Sequence, residues 1–140
     1  MNITAENKKI IIDEIAYVIK SMRASQSNSI KLFFLSAIPG VIQRIVNIEY
    51  DATLSYTGFI IQIVYERINS IVARVATGQE RVIQLPDELF ALLENLLENL
   101  SEEIENDGEI QPIMENLAEL AVITTGNGYY LYKKGIIQIT

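Results

Sequence analysis

The chain has 140 residues, is 49% apolar and 21% charged, and carries a net charge of −7 with no His and no Cys. That length and apolar fraction predict one folded domain rather than disorder. The missing residue types exclude Ser–His–Asp and Cys–His catalysis, disulfides, iron–sulfur clusters and Cys/His zinc sites. Chemistry by paired carboxylates, Lys, Tyr or Mg²⁺ stays open.

The charged N-terminus gives no signal-peptide core, and apolar runs are broken well before ~20 residues. The expectation is a cytoplasmic protein with no membrane partner. Thr4 stands as an N-cap before Ile11, Ile12, Ile15, Val18 and Ile19 at helical spacing, so residues 5–23 read as an amphipathic helix. Residues 25–29 are small and polar and read as a loop, and residues 30–38 as a short apolar helix interrupted by Pro39-Gly40.

Residues 43–57 carry two patterns. Val46, Ile48, Tyr50, Ala52, Leu54 and Tyr56 alternate with polar residues, which favours a strand. The rival is a helix over 40–48, Asp51 as an N-cap and a long helix from Ala52. From Phe59 to Val75 the helical period is stronger, and Thr77-Gly78 ends it. Residues 81–85 read as a short strand. Pro86, Asp87 and Glu88 suit the start of a helix. Leu89, Leu93, Leu96, Leu100 and Ile104 then form its stripe, ending at Asp107-Gly108. A shorter helix follows near Pro112.

Residues 121–125, the Gly126-Asn127-Gly128 turn, residues 129–132 and residues 136–140 read as a small antiparallel meander. The predicted fold is a helix-dominated α+β single domain with a C-terminal β-meander. The alternative is a nearly all-α bundle with a C-terminal hairpin.

The charge is segregated. Residues 1–81 hold nine Lys or Arg and seven Asp or Glu, whereas residues 82–132 hold eleven acids and no base. Glu94, Glu98 and Glu102 stack at i, i+4 with no base on their own helix to relieve them, at a cost of roughly 0.2–0.5 kcal/mol per pair. With Glu105 they form a candidate docking face for a protein with a basic surface. Tyr129, Tyr130 and Tyr132 make the tail a second candidate contact, since Tyr joins rigid apolar area to a polar tip. The glutamates of residues 102–109 lack the spacing of a calcium loop, so no metal or cofactor is expected. The scattered basic residues give no nucleic-acid stripe.

The reading is therefore a non-catalytic interaction module, an adaptor, assembly factor or inhibitor, with a homodimer also expected. One rival is a small carboxylate or Mg²⁺ enzyme using Glu49 and Asp51 with Glu66. Another is a small-ligand sensor, whose pocket would leave little trace in sequence.

Overall fold

The structure, a computed structural model, describes residues 1–78 and 84–124. They form six helices: α1 (Ala5–Ala24), α2 (Asn28–Leu35), α3 (Ala37–Ile48), α4 (Ala52–Ala76), α5 (Gln84–Glu105) and α6 (Gln111–Ile123). No strand occurs among the described residues, and this overturns the α+β expectation. The proposed strand over 43–57 is the end of α3, a three-residue turn and the start of α4. The proposed meander loses its first part to the end of α6, and the rest, with Tyr129, Tyr130 and Tyr132, lies outside the described residues. So does most of the short strand expected over 81–85, of which Gln84 and Leu85 belong to α5.

The alternation in 43–57 misled because it is not the pattern of burial. Ile48, Tyr50 and Tyr56, which a strand would have placed on its apolar face, are 69%, 66% and 61% exposed. The buried residues are Ile38, Val41, Ile42, Ile45 and Val46 in α3, then Leu54, Thr57, Gly58, Ile61, Val64, Ile68 and Ile71 in α4. Those spacings of three and four are helical. Asp51 starts α4 by accepting a hydrogen bond from the Leu54 amide at 2.9 Å.

Pro39 does not break a helix. The chain breaks three residues earlier at Ser36, and Pro39 occupies the first turn of α3, where no amide needs an intrahelical partner. Thr4 caps α1 by accepting from the Asn7 amide, and Ser27 caps α2 by accepting from the Ile30 amide. At the end of α5, Asp107 takes the left-handed position with φ 53°, and the Gly108 amide reaches back to the Glu103 carbonyl at 2.8 Å.

The packing partners define a closed ring: α1 against α5, α5 against α6, α6 against α4, α4 against α3, and α3 against α1. The short α2 rests on α1, α3 and α4. Side-chain ties show α1 and α5 to be antiparallel, since Lys8 meets Asp107 while Arg23 meets Glu98. The interior is filled by Ile, Leu and Val, with Phe90 the largest fully buried side chain among the described residues.

Polar ties fix the first residues of the chain to the α3–α4 turn. The Thr4 amide and the Asn7 side-chain amide both donate to Glu49 Oε2 at 2.8 Å, and the Asn2 amide donates to Asp51 at 3.2 Å. The Thr4 amide, with Asn7, holds the Glu49 carboxyl below its usual range. A carboxyl with a lowered folded value stabilises the fold above its unfolded value, about 4.3, and that contribution is lost as pH falls through the folded value. Amide-exchange protection of residues 4–8 should therefore fall on acidification below about pH 4. Glu49→Gln keeps an acceptor oxygen and loses the charge, so its protection should not respond in that window. An equal response in both proteins would exclude Glu49 as the tie.

Candidate functional site: a groove between α1 and α5

Helix α5 buries Leu89, Phe90, Leu93, Leu96, Leu97, Leu100 and Ile104, the apolar stripe visible in its sequence. The glutamate column on its flank does not remain one solvated face. Near the start of α5 that flank is covered by the end of α1 and by α2, and farther along it opens to solvent. Glu94 is consequently only 8% exposed. Its Oε2 lies 3.8 Å from the Arg23 guanidinium, and its Oε1 is buried without a hydrogen-bond partner among the described residues. Burial raises the Glu94 carboxyl above its ordinary value, and Glu98 adds to this, against the opposing pull of Lys31 and Arg23.

Glu98 is half-buried and holds the Arg23 guanidinium directly, so the guanidinium keeps its proton more tightly than usual. Glu102 and Glu105 are exposed, and neither is ion-paired among the described residues. Of the four glutamates grouped from sequence, the structure thus leaves two at the surface, pairs one and buries one. Arg23 was missing from that grouping. It stands 75 positions from Glu98 in sequence, and only the antiparallel docking of α1 on α5 brings the two together.

Between these helices runs a groove of about 610 Å³. The buried Ile15 and Ile19 and the exposed Ala16 of α1 lie at its floor, and Lys20 and Arg23 line the same side. Glu98, Ser101, Glu102 and Glu105 of α5 form the facing wall. A second cavity of about 320 Å³ lies on the same flank of α1, against Ala5, Lys8, Lys9 and Ile12, and shares Glu105 with the first. Together they follow α1 from Ala5 to Arg23, on the order of 27 Å at 1.5 Å per residue. Ile15 and Ile19 lie buried beneath the groove, Ala16 is open to it, and its two walls carry opposite charges.

The carboxylates of the rival catalytic reading do not converge. Glu49 and Asp51 sit in the α3–α4 turn, occupied by the amides of Thr4, Asn2 and Leu54. Glu66 lies fifteen residues along α4 from Asp51, roughly 20 Å away, and accepts from Gln62. No group of three or more acidic side chains able to hold a metal occurs among the described residues.

One apolar stretch stands out beyond the groove. Asn28–Ile48, spanning α2 and α3, is long and apolar enough to cross a membrane by length and composition, although 39% of it is buried within the fold and Ser36 divides it. No protein-family model, curated protein or solved structure matches the chain, so its function is argued from this geometry alone.

Proposed function

We propose that the chain is a non-catalytic, cytoplasmic protein-binding module that receives a helical segment of its partner in the α1–α5 groove. The observation that carries this reading is the groove itself: two unlike charged walls above Ile15, Ala16 and Ile19, continued along α1 by a second cavity at Ala5 and Ile12. Two antiparallel helices with such a furrow accept a third amphipathic helix, whose apolar side chains recur at i, i+3, i+4 and i+7. The partner's basic residues would lie along Glu102 and Glu105, the two groove acids left unpaired. Glu98 is satisfied by Arg23 and contributes less.

A photocrosslinking residue at Ser101, in the groove wall, should capture the partner in cells. The same residue at Ser70, exposed on α4, should not. Reversing two wall charges with Glu102→Lys and Glu105→Lys should weaken binding of the captured partner at least about tenfold at low salt, and less at high salt. Capture that is equal from both positions, or affinity indifferent to the reversals, would remove the groove as the binding site.

A further inference from the structure

Helix α2 turns Leu32 and Leu35 into the core and leaves its other side uncovered. Phe33 is 73% exposed, Ile30 49%, and Tyr17 on the adjoining α1 58%. The half-buried Phe34 joins them, edge-on to Tyr17 at 6.0 Å and to Phe33 at 5.7 Å. Taking 150–250 Å² for an aromatic side chain, the three exposed residues present roughly 300–400 Å² of apolar surface. That is as large as the largest such patch on a typical monomer.

The surrounding charge selects the occupant. Residues 24–43 contain a single charged side chain, Lys31. Its ammonium lies 5.5 Å over the Phe90 ring and acts on Glu94, so it is engaged within the molecule. Within α2 the face carries no other charge, and on α1 Glu14 and Lys20 stand three residues either side of Tyr17, one acid and one base at its edge. The chain as a whole carries −7, with eleven acids between residues 82 and 132. Two identical acidic molecules repel each other least where their surfaces are nearest to neutral, and α2 is such a place. An interfacial membrane helix, by contrast, carries Lys and Arg on its polar face, which residues 24–43 do not supply.

We propose that the outer face of α2 is a self-association surface, on which Phe33, Phe34 and Tyr17 of one copy pack against the same residues of a second across a two-fold axis. An isologous contact needs only that the patch complement itself, and neutral aromatic edges and faces do so. Two such patches bury roughly 600–800 Å² of apolar surface between them, below the standard range of about 1,200–2,000 Å² for stable specific interfaces. The dimer is accordingly weak, with a dissociation constant on the order of 10 µM.

Analytical ultracentrifugation from about 1 to 200 µM tests this, because it brackets that constant. Wild type should pass from monomer to dimer across the series. Phe33→Asp, at an exposed position, should stay monomeric with an unchanged helical circular-dichroism spectrum. The chain has no cysteine, so Phe33→Cys introduces a unique thiol that should oxidise to a disulfide-linked dimer. Phe59→Cys, equally exposed on α4, should remain a monomer. A wild type monomeric throughout, a dimer that survives Phe33→Asp, or equal oxidation of the two thiol variants would overturn the proposal. So would flotation of the monomer with phosphatidylcholine–phosphatidylglycerol vesicles, lost in Phe33→Asp, which would assign the face to a bilayer.

Discussion

Replacing Gly58 with alanine should lower stability by about 1–2 kcal/mol, although alanine is the better helix former by about 1 kcal/mol. The reason lies across the α3–α4 contact. A Cβ at position 58 would stand 2.7 Å from Ile42 Cγ2 and 3.2 Å from Ile42 Cβ. Ile42 is itself 1% exposed and β-branched, so its methyl cannot swing aside without leaving its preferred rotamer. The two helices must separate, and every neighbour of α4 in the ring feels the shift. Gly58→Val adds two more methyl groups and should cost about 3 kcal/mol or more. Ile42→Ala opens the space, so the double variant with Gly58→Ala should be at least about 1 kcal/mol more stable than the sum of the single effects. Urea unfolding of the four proteins measures the coupling. Additive effects would show that α3 and α4 are not in close contact at this point.

Glu94→Gln should move stability the other way, raising it by about 1 kcal/mol at neutral pH. The carboxylate is buried, one of its oxygens has no partner among the described residues, and the Arg23 contact at 3.8 Å is long. When Glu94 is neutralised Arg23 keeps Glu98, and Lys31 loses its acid but keeps its place over the Phe90 ring. The sign of the pH dependence follows from the raised folded value. The native protein binds this proton more tightly than the unfolded chain does, so ionisation at neutral pH costs stability. The cost is relieved as pH falls through the folded value. Below the unfolded value, near pH 4, both states are protonated and the advantage of the variant should vanish. Paired denaturation curves from pH 7 to pH 4 measure this convergence. A variant less stable than wild type at pH 7 would mean that the Arg23 contact outweighs the burial.

The amphipathic helices were readable because single side chains announce them. Thr4, the Leu stripe of α5 and Asp107-Gly108 each act within one or two turns, and α1 and α5 end within a few residues of where local rules place them. The α3–α4 region was not readable in the same way. Its residues satisfy period 2 and period 3.6 together, and the decision comes from outside the segment. Residues 2–7 satisfy Glu49 and Asp51, and the close approach at Gly58 needs a helix on both sides. The site was half legible. The glutamate column and its spacing are local, but the burial of Glu94 and its charge partners Arg23 and Lys31 are products of tertiary packing. The aromatic face of α2 was hidden for the same reason, since nothing in its sequence separates the buried Leu32 and Leu35 from the outward Phe33.

The ties at the two ends of α1 govern how the groove receives an occupant. At one end Glu49 grips Thr4 and Asn7 while Lys8 reaches Asp107 at 2.9 Å, and at the other Arg23 holds Glu98. The Lys8 and Arg23 pairs act as struts that set the spacing of α1 and α5 before anything binds, and the Glu49 tie fixes the start of α1. A guest helix then meets a furrow of settled width and forgoes the entropic loss of ordering its host. Removing the Asp107 carboxylate would loosen the Lys8 strut with every groove-lining residue left in place, and would still reduce affinity by making the empty site pliable.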